Sequence, residues 1–143
     1  MRVSAKAEYA CVAMMELAAL YGGSRPVRVK DVAEAHDIPQ RFLVQILLQL
    51  KAAGLVVSVR GASGGYQLAV PPDEISLATI IHAIDRPAPP RTGTDAQPES
   101  PAFAVIRGVW QEVQAKEQRI LHERSLADLL RQAQQHNALS YQI

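Results

Sequence analysis

Cysteine is almost missing from this 143-residue chain, with Cys11 as the one thiol. A lone cysteine excludes an intramolecular disulfide framework and every structural zinc site built on paired thiolates. Long apolar runs are missing too: none approaches the ~18–20 residues that a bilayer span needs. Lys6 and Glu8 stand where a secretory signal would need its apolar core. A cytoplasmic protein with no membrane partner is the expectation. Nor does one sign of charge dominate, since the net charge is +1. What is present is 48% hydrophobic and 20% charged residues, enough apolar material for a buried core and too much for wholesale disorder. The length suits one compact unit, or one unit with a protruding element.

The small net charge hides an asymmetry. Residues 1–70 hold eight Lys/Arg against five acids, a balance of +3, and the remainder holds seven against nine, a balance of −2. A basic end joined to an acidic end suits a module that meets a polyanion with one side only.

Between Ser4 and Leu20 the apolar residues Tyr9, Val12, Ala13, Leu17 and Leu20 recur at helical spacing, and Gly22-Gly23 closes the segment. Val29, Val32 and Ala33 mark a brief second helix, which His36-Asp37-Ile38-Pro39 breaks. A third helix is predicted from about Pro39 to Ala53, with Phe42, Leu43, Ile46, Leu47 and Leu50 as its apolar stripe and Gly54 as its stop. Leu55–Val59 and Tyr66–Val70 read as two strands about a Gly61–Gly65 turn. That order is the order of a winged helix-turn-helix.

Ser76 caps a fourth helix bearing Leu77, Ile80, Ile81 and Ile84. From Arg86 to Pro101 the chain carries five of its nine prolines without apolar periodicity, which predicts a mobile loop. Ser100-Pro101 then opens a long helix to about Glu123. Along it Phe103, Ile106, Trp110, Val113, Glu117 and Ile120 alternate at spacings of three and four, a heptad seam with one charged interruption. A helix of that length exceeds what a small core needs, so part of the seam is expected to meet another chain. Ser125 and Asp128 predict a capped last helix from Leu126 to about Gln135. The expected fold is mainly α with a small β-hairpin: a winged helix-turn-helix (1–85), a flexible loop (86–100), and a dimerisation helix with a C-terminal helix (101–143).

Several fragments together resemble the Rrf2 family of bacterial transcription regulators: Ser4, Lys6 and Tyr9 opening the first helix, Ile38-Pro39 before the third, Leu50-Lys51-Ala52-Ala53-Gly54-Leu55-Val56, Ser58-Val59-Arg60-Gly61 and Gly64-Gly65-Tyr66-Gln67-Leu68. The resemblance covers residues 1–85 by motif and the rest by layout. It implies a homodimer whose long helices cross and whose winged units bind palindromic operators. In several members three cysteines in the loop before the long helix hold an iron-sulfur cluster. The loop here has none, and thiolates are the usual ligands, so neither cofactor nor metal is expected. A glutamate that takes part in readout in the family's iron-sulfur regulator is replaced here by Val44.

DNA contact is expected first from Gln40, Arg41 and Gln45, because the N-terminal residues of such a helix enter the major groove. Arg can bridge guanine O6 and N7, and Gln can pair with adenine N6 and N7; the plainer reading makes Gln40 and Arg41 solvated first-turn residues. Arg60 and Gly61 lie at the hairpin tip, where a thin backbone lets a cation reach the minor groove or a phosphate. Ser4, Lys6 and Tyr9 are placed to donate to phosphates, with core packing an equal reading for Tyr9. Arg28 and Lys30 flank the second helix and add nonspecific attraction or solvated charge. Phe103, Ile106, Trp110, Val113 and Ile120 form the expected dimer interface.

The reading is a homodimeric, DNA-binding repressor without a cluster, its effector unknown. Two alternatives stay open: a protein-interaction module docking a metabolic enzyme or another regulator, and a redox sensor acting through Cys11. His36, His82, His122 and His136 are dispersed, without close ligand spacing. An enzyme is not expected, because no Ser/His/Asp or Cys/His constellation and no phosphate-cradling glycine loop is found.

Overall fold

The computed structural model describes residues 2–62, 64–86 and 100–141. The first helix, α1 (Ala5–Ala19), starts where Ser4 can cap it: the Ser4 hydroxyl accepts from the Ala7 N–H at 3.0 Å. Ala7, Ala10, Ala13, Met14, Leu17 and Ala18 are all buried, which covers α1 on more than one side. Four of the six are alanines, so neighbouring backbones can come close.

Helix α2 (Val29–His36) ends at Asp37, whose left-handed backbone (φ 52°) turns the chain. Buried Ile38 and the N-cap Pro39 lead into α3 (Gln40–Ala52). His36 Nε2 lies 2.7 Å from Glu16 Oε1 and ties the end of α2 to α1. One side of α3 buries Leu43, Ile46, Leu47 and Leu50. Strands β1 (Val56–Val59) and β2 (Gly65–Leu68) then pair antiparallel, Val56 opposite Leu68 and Val59 opposite Gly65. Val27 exchanges two backbone hydrogen bonds with Tyr66, at 2.9 and 2.8 Å, on the other edge of β2. Lys51 Nζ donates to Ser58 Oγ at 2.7 Å and links the end of α3 to β1.

A short 3-10 turn (Pro72–Glu74) precedes α4 (Leu77–Ile84), which Ser76 caps by accepting from the Thr79 N–H. At the far end of α4, Asp85 accepts from the Ser4 N–H at 3.2 Å and from its hydroxyl at 2.7 Å. The long helix α5 (Pro101–Glu123) begins at the N-cap Ser100, with Pro101 in its first turn. Only Leu121 of α5 is buried. The turn into α6 (Leu126–Tyr141) is locked to the start of α4: Leu77 N–H donates to Arg124 C=O, and Leu126 N–H to Ile75 C=O, each at 2.9 Å. Leu126 is fully buried. Ser125 and Asp128 each donate a backbone N–H to the other's side chain, the reciprocal arrangement of a capping box. The Ser125 N–H holds the Asp128 carboxyl below the ordinary carboxylate range.

The mainly helical architecture with one small hairpin agrees with the sequence reading, and two boundaries move. The return strand is Gly65–Leu68, not Tyr66–Val70; Gly65 can pair because it lacks a side chain, and pairing fades before Pro71. Helix α6 runs to Tyr141, beyond the expected end near Gln135. Residues 132–141 carry no apolar stripe to mark a helix, but their Gln and Ala residues favour one and no Gly or Pro stops it. Most of the proline-rich segment, residues 87–99, lies outside the described residues, as does Ser63 in the hairpin turn.

Ser4→Ala should remove both the cap of α1 and the side-chain tie to Asp85. A loss of about 1–2 kcal/mol is expected in denaturant unfolding, largely recovered by Ser4→Thr; an unchanged midpoint would show that the tie carries no stability.

Candidate nucleic-acid interface

The burial of α3 on one side decides what it shows on the other. At 100° per residue, Leu43, Ile46, Leu47 and Leu50 point into the core. Arg41, Val44, Gln45 and Leu48 occupy the opposite face, and all four are exposed, as is Gln40 at the helix start. No acidic residue lies in the first turn and no side chain caps it, so the helix dipole and Arg41 act in the same sense there. Tyr9 meets Phe42 edge to face, ring centroids 5.8 Å apart, which sets the start of α1 beside the first turn of α3. Lys6 and Tyr9 are half-buried, and Tyr9 packs against the core.

A second group gathers at the wing. Arg60 is exposed next to Gly61, whose φ of 121° suits glycine alone. Two hydrogen bonds are made beside it: Gly64 N–H donates to Gly61 C=O at 3.0 Å, and Arg28 Nη2 donates to Ala62 C=O at 3.2 Å. A Cβ at position 65 would lie 2.2 Å from the Val27 carbonyl oxygen, so glycine there is demanded by close backbone approach. The fold thus brings Arg28, Arg60 and Gly61 together, and the Lys51–Ser58 bond joins this group to α3. Among the described residues neither Arg41 nor Arg60 has an ion-pair partner.

The structure gives Ser4 a different task. Its hydroxyl is held between the Ala7 N–H and Asp85, and the neighbouring carboxylate opposes a phosphate. Arg28 likewise spends a donor on the wing. Sequence reading missed both partners because they are distant in the chain: 81 residues separate Ser4 from Asp85, and 34 separate Arg28 from Ala62. It also missed Leu48, whose outward place follows from the 100° rotation that puts Leu47 inside.

Cys11 is half-buried on α1 and packs against the core. Burial, and then the nearby Glu8 carboxylate, push its thiol up to about 11. The histidines are less dispersed than their spacing suggests, since the rings of His82 and His122 meet at 6.1 Å. No group of three or more His, Cys, Asp or Glu that could hold a metal exists among the described residues. On α5, Phe103, Ile106, Trp110, Val113 and Ile120 are all exposed, Phe103 by 64% and Trp110 by 62%. No helix among the described residues is long and apolar enough to cross a membrane.

Comparison with known proteins accounts for this arrangement. Residues 3–132 match the family described as Rrf2, iron-dependent transcriptional regulator. A candidate HTH-type transcriptional regulator of Mycobacterium tuberculosis is 44% identical over 131 residues, which cover 90% of this chain and 81% of that one. The HTH-type transcriptional regulator IscR of Cereibacter sphaeroides is 33% identical over 136 residues, 92% of this chain and 88% of its own. The solved structure of CymR, the global cysteine regulator of Bacillus subtilis, superposes with a TM-score of 0.79 at 32% identity and covers 91% of this chain and 96% of that one. These relatives are regulators rather than enzymes, and by sequence and by fold the chain belongs to the Rrf2 family of transcriptional regulators.

Proposed function

We propose that this regulator binds a palindromic operator in double-stranded DNA as a homodimer, acts as a repressor in the cytoplasm, and needs no iron-sulfur cluster. In this reading residues 1–85 are the DNA-binding unit and residues 101–143 the dimerisation unit, joined by 86–100. The observation that carries it is the outward face of α3, where Gln40, Arg41 and Gln45 stand exposed and supply the donor and acceptor groups that read base edges in the major groove. Arg60, with Gly61 beside it, takes the wing contact to phosphate or minor groove. Lys6 and Tyr9 flank the helix start. Ser4 ties α1 to the end of α4, and the exposed Arg28 donates to the wing beside Arg60.

Dimerisation is supported by the exposed seam of α5. Five apolar side chains along one seam, interrupted at Glu117, on a helix of 23 residues about 35 Å long, leave more apolar surface in water than scattered exposed residues do. A second copy of the same seam would bury it symmetrically. With both α5 helices fixed at their bases to α4, the two α3 helices would be held at a set separation, and an operator would need half-sites about 34–36 Å apart or a multiple of that.

The family description names iron, and the residues of this chain do not fit a cluster. Iron-sulfur clusters are held by several thiolates; the one cysteine lies half-buried on α1 with its thiol pushed up to about 11, where little thiolate exists at neutral pH. The same raised value weakens the alternative of a redox sensor at Cys11.

Three outcomes are expected. In fluorescence anisotropy with a duplex selected from a random library, affinity should fall steeply with salt. Arg41→Ala removes the contact from both half-sites and should weaken binding by about thirtyfold or more at selected sites, and Arg60→Ala should weaken it across sequences; salt-insensitive binding, or no loss in either variant, overturns the reading. In sedimentation at micromolar concentration the wild type should be dimeric and Trp110→Glu monomeric, and a monomeric wild type would refute the dimer. Alkylation of Cys11 by iodoacetamide should be slow at pH 7 and rise toward pH 11, with Cys11→Ser binding DNA as the wild type does; fast labelling at pH 7 would restore the thiol as a sensor.

A further inference from the structure

The exposed face of α3 is not wholly polar. Val44 is 37% and Leu48 53% exposed, and they share that face with Arg41 and Gln45. An outward helical face ordinarily carries polar residues at such positions. We infer that Val44 reads the 5-methyl group of a thymine in each half-site, an inference that rests on the DNA-binding reading above and assigns one of its specificity contacts.

The chemistry of the major groove leaves one apolar group for Val44 to meet. Guanine shows N7 and O6 acceptors, cytosine an amino donor, and adenine an acceptor with a donor, whereas only thymine adds a methyl group. Valine can neither donate nor accept a hydrogen bond. Pressed against a cytosine amino group or a guanine O6 it would strip water from that polar edge and return nothing, so the same side chain rewards T·A and penalises G·C. Its position along the helix supports this. Val44 lies one turn in from Gln40 and Arg41, within the N-terminal part of the helix that reaches base edges, and Leu48 stands a further turn away. A β-branched side chain in a helix keeps essentially one rotamer, so the methyl groups of Val44 are held ready with little entropy to lose on contact.

The test uses the full chain and a palindromic duplex selected from a random library. Each symmetric pair of thymines is replaced in turn by deoxyuridine, which removes the methyl and nothing else. Loss of one buried methyl contact is worth about fourfold, so about fifteenfold is expected when both half-sites change. One thymine pair should show this loss with the wild type. Val44→Ala should bind the thymine and deoxyuridine duplexes nearly alike, and Leu48→Ala should keep the wild-type sensitivity. Val44 is exposed, and equal thermal melts of variant and wild type would show that the fold is intact. Salt-dependent binding with no methyl-sensitive thymine overturns the inference and leaves the DNA-binding reading standing, as does sensitivity that survives Val44→Ala or disappears in Leu48→Ala. Failure to enrich any duplex overturns the DNA-binding reading and this inference together.

Discussion

Burial of α1 is the constraint on which the rest of the fold depends. Ala7, Ala10 and Met14 are completely enclosed, and Ala13 and Leu17 nearly so, because α3, α4 and α6 all pack on this one helix. Small side chains on α1 let those neighbours approach closely, and close packing punishes even a methyl-sized change in volume. α3 packs also on α2, α4 and β1, so the direction in which it faces solvent is set by its seat among these neighbours and α1 together.

Among the described residues no polar or charged residue is buried as a whole, although the Gln49 side-chain oxygen is enclosed. The core is thus held chiefly by apolar contact, which has no preferred direction. Direction comes from a few backbone and side-chain ties between distant segments: Ser4 to Asp85, Val27 to Tyr66, Arg124 to Leu77, and Leu126 to Ile75. The last two set the base of α5 against the start of α4, and the first sets the far end of α4 against α1. Bonds at one end of α4 and the Ser4–Asp85 pair at the other thus link the base of α5 to the start of α1.

Much was legible before the structure. Helix α1 was readable from Ser4 and the spacing of Leu17 and Leu20, α4 from Ser76 and its isoleucines, and α5 from Ser100-Pro101 and the heptad seam. The exposed placement of Gln40, Arg41 and Gln45 follows from the same periodicity. Other features were hidden. Asp85 reads as one acid at a helix end, yet it accepts both hydrogen bonds that anchor the chain's first turn. Arg28 reads as surface charge, and its exposed side chain also donates to the wing. His82 and His122 lie 40 positions apart in sequence and touch.

The division has a physical cause. Helix caps, turn glycines and apolar periods act over three or four residues, so the chain announces them wherever they occur, and composition alone excluded a thiolate cluster. Partnerships between residues tens of positions apart depend on how helices stack, and stacking follows from the combined shape of many side chains. Only the folded arrangement could show that the Ser4 hydroxyl bonds to Asp85, that the half-buried Cys11 packs against the core, and that Arg28 reaches the wing.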